Sequence, residues 1–161
     1  MIPLTAITAP RSDSNPWLAS VYAGVFTAIA AVAFVLLFQA EIPVLYILAF
    51  LLIGVGPVLG YQLATGGLGT DWKALIGGLI GSIPVIGLIL WPILVGALSR
   101  TQSIGRLFLA SIIGIILATV VFLLIATMMG QNPTWLSLGF TLLCAVWGGA
   151  CGAFMASARG E

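Results

Sequence analysis

A chain of 161 residues would ordinarily fold as one soluble domain, but 61% of its residues are hydrophobic, 6% are charged and the mean hydropathy is +1.26. Five Lys+Arg, four Asp+Glu and no histidine exclude a water-facing surface, a basic field for nucleic acid, and chemistry that needs an imidazole as ligand or neutral-pH base. The solvent such a composition implies is a lipid bilayer.

Residues 1–16 read as a polar tail in which Arg11, Asp13, Ser14 and Asn15 lead to Pro16. The apolar run that follows starts too late and extends too far for a signal peptide, so the first helix is expected to be retained. Runs of about 20 apolar residues, enough helix to cross a ~30 Å hydrocarbon core, place spans at Trp17 to Gln39, Pro43 to Ala64, Ala74 to Leu98, Leu107 to Met129 and Thr134 to Ser157. No charged residue lies inside them, as the cost of a buried charge in lipid requires. The expected fold is an all-α integral membrane protein, a compact bundle of five transmembrane helices with short loops. It forms one domain over 17–157, and 158–161 is a C-terminal tail. Continuous apolarity over twice the length of a barrel strand favours helices over a transmembrane barrel.

The connections fit this division. Ala40-Glu41-Ile42 before Pro43 is a very short reversal, and 65–73 is a glycine-rich turn. Ser99 to Arg106 is a polar loop, and Gly130-Gln131-Asn132-Pro133 is another tight turn. Five crossings put the tail, 65–73 and 130–133 on one side, with Glu41, 99–106 and the carboxyl end on the other. Trp17, Tyr61, Trp72 and Trp135 then form a belt at the first side and Tyr46 lies at the second. Arg11 and Lys73 oppose Arg100, Arg106 and Arg159, so the positive-inside bias favours an exterior amino terminus and a cytoplasmic carboxyl terminus, in a membrane read as a prokaryotic cytoplasmic membrane. Trp17, Trp72, Lys73, Arg100, Arg106 and Trp135 are the expected interface anchors.

Gly56/Gly60, Gly77/Gly81 and Gly148/Gly152 repeat the small-xxx-small spacing that lets helix backbones approach in lipid, either within the chain or against another subunit. Leu52-Ile53-Gly54, Pro57-Val58 and Gly60 recur 27 residues later as Leu79-Ile80-Gly81, Pro84-Val85 and Gly87. The pattern resembles the Gly/Pro-interrupted helices that form midplane sites in transporters. Pro57, Pro84 and Pro92 would free the carbonyls of Ile53, Ile80 and Leu88. The alternative is a chance match between glycine-rich apolar segments.

Cys144 and Cys151 lie too far apart along one helix for a disulfide and lack further metal ligands, so they read as packing residues. Trp91 and Trp147 sit within spans and need partners for their indole N–H groups. No metal and no covalent or His-ligated cofactor is expected, whereas a bound lipid or pigment remains open. The absence of intramembrane titratable groups argues against an enzyme and against a proton-driven pump. The leading expectation is therefore a non-catalytic accessory subunit of a larger integral-membrane complex, such as a photosynthetic or respiratory one, packing against membrane lipids, hydrophobic cofactors and other transmembrane subunits. The other is a small electroneutral transporter or channel built on broken helices 2 and 3.

Overall fold

The computed structural model describes residues 15–83, 86–99, 102–129 and 132–157. Its helices are α1 (Pro16–Gln39), α2 (Pro43–Ile53), α3 (Val55–Ala64), α4 (Trp72–Gly81), α5 (Gly87–Leu98), α6 (Ile104–Met129) and α7 (Pro133–Ser157), and no strand occurs among the described residues. α1, α6 and α7 are each long and apolar enough to cross a membrane, and α2 with α3 makes a fourth candidate span bent by 45° at its break. An apolar exterior encloses the bundle, with Ile29, Leu36, Ile116 and Leu123 among its exposed side chains.

The expected third span, Ala74 to Leu98, is not one helix. It is the antiparallel hairpin α4–α5. A Cβ on Gly77 would stand 2.8 Å from the Leu94 carbonyl oxygen, and one on Gly81 would stand 2.6 Å from the Trp91 Cα. At the open end the Ser99 hydroxyl donates to Asp71 Oδ2 at 2.7 Å. The reason lies mid-segment, where Gly81, Ser82 and Gly87 weaken the helix over a few residues. Hydropathy is uniform through the reversal and does not register it. Ten and twelve residues give helices of roughly 15–18 Å, about half the thickness of a hydrocarbon core.

α1 is the axis of the bundle, lying between α3 and α7. Thr27 is buried where a Cβ on either Gly56 or Gly148 would collide with it, and Ala23, one turn earlier, stands in the same relation to Gly60 and Gly152. The helices therefore meet nearly backbone to backbone. In lipid, where burying apolar surface gains little, such van der Waals contact is what holds helices together. The Thr27 hydroxyl donates to the Ala23 carbonyl at 2.6 Å, so its polarity is spent within its own helix.

These contacts also order the ends. Gly152 abuts Ala19, Gly96 abuts Ile104, and Gln102 Nε2 donates to the Met155 carbonyl at 3.1 Å. Hence the start of α1, the end of α3, both open ends of the hairpin, the start of α6 and the end of α7 share one end of the bundle. The α1–α2 turn, the end of α6 and the start of α7 share the other. The first and last helices thus begin and finish at the same end, not at opposite ends. Trp17, Tyr61, Trp72, Lys73 and Arg106 belong to that end, whereas Trp135 joins Tyr46 at the far one.

Two helix ends close by the same device. After α1, Ile42 N–H donates to the Leu37 carbonyl and Glu41 N–H to that of Phe38, with Glu41 in the left-handed region at φ 57°. After α3, Gly67 and Gly66 repeat the pattern on Gln62 and Leu63, with Gly66 at φ 67°. The second loop is then stitched by buried Gln62, whose Oε1 accepts from Gly69 N–H at 2.8 Å and whose Nε2 donates to the Asp71 carbonyl at 2.9 Å.

Because Gly60 faces the backbone of Ala23, Gly60→Ala should cost about 1–3 kcal/mol and lower the thermal midpoint of the purified protein. Gly105→Ala, where nothing lies within 4 Å, should not lower the midpoint, since alanine favours a helix over glycine.

Candidate functional site

Two interruptions of helix meet inside the bundle. α2 ends at Ile53 and α3 starts at Val55, with Gly54 between them. Pro57 is the third residue of α3, a position whose N–H would have no intrahelical partner in any case. The proline therefore suits the restart of the helix better than its interior. Opposite Gly54 lies the closed end of the hairpin: a Cβ on Gly54 would strike the Ser82 hydroxyl, and one on Gly78 would stand 2.5 Å from the Gly54 carbonyl oxygen. Glycine is required at both positions by this approach.

The exposed backbone at the junction is capped by side chains. Trp91 Nε1 donates to the Gly54 carbonyl at 2.7 Å, and the Ser82 hydroxyl donates to the Gly78 carbonyl at 2.7 Å. Carbonyls left bare in an apolar interior would cost several kcal/mol each. Trp91 packs edge to face on Trp147 with centroids 5.3 Å apart, and Trp147 Nε1 donates to Ser111 Oγ at 3.3 Å.

Beyond the hairpin tip lies a hollow of about 190 Å³. Its floor is Ser82, Ile83, Gly87 and Trp91. Phe50 and Ile53 of α2 form one wall, Ile115 of α6 another, and Phe140, Leu143, Cys144 and Trp147 of α7 the back. Phe34 of α1 stands behind this back wall, 5.3 Å from Phe50 and 5.5 Å from Phe140 between ring centroids. The polar atoms at the floor already serve the backbone, so what the hollow offers is dispersion and aromatic faces. Engineered apolar cavities of about 150 Å³ stay dry and admit benzene or xenon; this hollow is of similar volume and equally apolar, but open on one side.

The residues singled out from sequence are distributed unevenly around it. Gly77 and Gly81 join the two helices of the hairpin, and Gly56, Gly60, Gly148 and Gly152 join α3 and α7 to α1, all within this chain. Pro57 borders the junction. Pro92 lies buried inside α5, where it supplies no N–H to the Leu88 carbonyl. Pro84 and Arg100 lie outside the described residues, as do Arg11 and Arg159. The two copies of the Leu-Ile-Gly pattern meet through Gly54, Gly78 and Ser82. The first copy bends the chain and the second reverses it. The carbonyl that receives Trp91 is that of Gly54, not of Ile53. Cys144 reaches the hollow, whereas Cys151 is buried elsewhere in the core; both are free thiols.

Sequence reasoning missed Gly54 and Ser82 as the point of contact, and Phe50, Ile115 and Phe140 as walls, since nothing in an apolar run marks which face turns inward. Gln62 and Asp71 did carry a signal, a buried amide in an otherwise apolar span and an acid ahead of a helix. No family model, curated protein or solved structure matches this chain.

Trp91→Phe removes the only indole partner of the Gly54 carbonyl and should destabilise the protein by about 1–2 kcal/mol, read as a lowered thermal midpoint. Trp147→Phe should cost less, because its longer hydrogen bond ends on a Ser111 hydroxyl, which can still donate its own proton, whereas the Gly54 carbonyl can only accept.

Proposed function

We propose that the protein is a small integral-membrane binding protein, in its wider form an electroneutral carrier, for an uncharged and predominantly apolar molecule held at the membrane midplane. One observation carries this reading: a broken helix and the closed end of a half-length hairpin border an apolar hollow lined by two tryptophans. An apolar concavity of this kind is the default ligand site of a protein. Irregular backbone at membrane depth is tolerated where protein buries it or a cavity adjoins it. Of the two expectations from sequence, the geometry favours the one built on broken helices. The accessory-subunit reading rests on elimination, and the six glycines that could have offered a face to another subunit touch the chain's own helices.

The reading includes a topology. If the hairpin enters and leaves on one side, the helix ends next to which Arg11, Lys73, Arg100, Arg106 and Arg159 stand in sequence all lie on that side, while the opposite connections, 40–42 and 130–133, contain no Lys or Arg. A bias of all the cations to one side supports cytoplasmic amino and carboxyl ends. A fluorescent protein fused at the carboxyl end should therefore light up in the cytoplasm, and one fused at the amino end should do the same. Dark fusions at either end contradict the assignment.

The site itself is tested with adamantyl diazirine, a photoactivatable hydrocarbon, on the purified protein in lipid nanodiscs. Label should insert at Ile83, Phe140 and Leu143 and be lost there on Ile115→Phe, which fills the hollow. Label confined to outward residues such as Ile29 and Leu123, and indifferent to that substitution, would falsify the reading.

A further inference from the structure

We propose that the occupant of the hollow is one acyl chain of a zwitterionic phospholipid, drawn from the leaflet on the α1–α2 turn side and entering sideways between α2 and α6. This deepens the reading above and rests on the hollow being a ligand site.

Depth is the first argument. The hairpin helices of ten and twelve residues reach only about half of a hydrocarbon core. Beyond the closed end of the hairpin, one sector of the bundle holds no helix among the described residues for about the depth of one leaflet. α2, with eleven residues, borders that vacancy over the same half-thickness. A bilayer does not leave such a space empty, and the material that matches its depth and polarity is an acyl chain of the adjoining leaflet.

Access is the second. α1 packs against α2, and α6 packs against α7, so the back of the hollow is closed. Among the described residues, α2 and α6 share at most a marginal contact. Leu48 and Leu52 on α2 and Ile112 and Ile116 on α6, close in sequence to the lining residues Phe50, Ile53 and Ile115, are exposed and apolar. The inside of the hollow is therefore continuous with the surface that faces lipid tails.

Charge is the third. The connections at that end carry one charged residue between them, the exposed Glu41. An anionic headgroup would find no Lys or Arg there and one carboxylate to repel it. A zwitterionic headgroup can offer its ammonium to Glu41 and needs no cation for its phosphate.

The test uses Trp17→Phe, Trp72→Phe and Trp135→Phe together, which leaves Trp91 and Trp147 as the only indoles, both lining the hollow. The protein is reconstituted into bilayers containing phosphatidylcholine or phosphatidylglycerol brominated near the chain terminus. Brominated phosphatidylcholine should quench the fluorescence, and quenching should drop when Ile115→Phe or Leu143→Phe fills the hollow from either wall. Mixed bilayers should show a preference for the zwitterionic lipid of about five-fold, the ratio that one charge contact at a membrane surface produces. Glu41→Gln should remove that preference without changing the quenching by phosphatidylcholine alone. Quenching that is indifferent to both filling substitutions comes from the lipid annulus and overturns the proposal, as does an equal or greater preference for phosphatidylglycerol. If adamantyl diazirine still labels the hollow while brominated lipid fails, the ligand site stands and the acyl-chain assignment falls.

Discussion

The rest of the structure depends on the contact between Gly54 and the closed end of the hairpin. A chain in lipid cannot interrupt a helix without supplying new partners for the carbonyls it releases. Here the break in one element is placed against the turn of another, with the Trp91 indole capping the Gly54 carbonyl and the Ser82 hydroxyl capping that of Gly78. Neither interruption would be stable alone. Because both backbones come within touching distance, glycine is needed at 54 and 78, and the hairpin stops at the depth of the break.

That stop determines the shape of the site. A third helix of full length would fill the sector between α2 and α6 and leave an ordinary bundle. A hairpin of half length leaves the sector open above its tip, and Phe50, Ile115, Phe140 and Leu143, which would otherwise be lipid- or helix-facing packing residues, become walls. The interhelical glycines on α3 and α7 serve the complementary purpose. They hold α1 tightly at Ala23 and Thr27, so the bundle is closely packed on one side of the hollow, while α2 and α6 stand apart on the other.

Much of the helical content was legible from hydropathy, because Pro16, Pro43 and Pro133 mark helix starts and the charges fall between the spans. The direction of the chain was not. From Ala74 to Leu98 the residues are apolar throughout, and hydropathy reads a helix that returns on itself as one that continues. The signal for reversal was local: Gly81, Ser82, Pro84 and Gly87 within seven residues, of which Gly81, Pro84 and Gly87 belong to the repeat of 52–60. Its consequence was missed because the first copy, around Gly54 and Pro57, only bends its helix. Asp71 and Ser99 illustrate the same limit. Each was visible as a loop residue, but their hydrogen bond across 28 positions follows only once the hairpin is known. The error then propagated, since one misjudged crossing moves Trp135 and the final helix end to the wrong side.

The account therefore stands on whether residues 71 and 99 lie on the same side of the membrane. Single cysteines at Thr70→Cys, Ser103→Cys and Asn132→Cys, each in a Cys144→Ala, Cys151→Ala background, can be labelled with a membrane-impermeant maleimide in sealed vesicles of known orientation. Thr70→Cys and Ser103→Cys should label from one side and Asn132→Cys from the other. Labelling of Thr70→Cys together with Asn132→Cys, and of Ser103→Cys from the opposite side, would make 74–98 a membrane crossing and remove the hairpin on which the hollow is built.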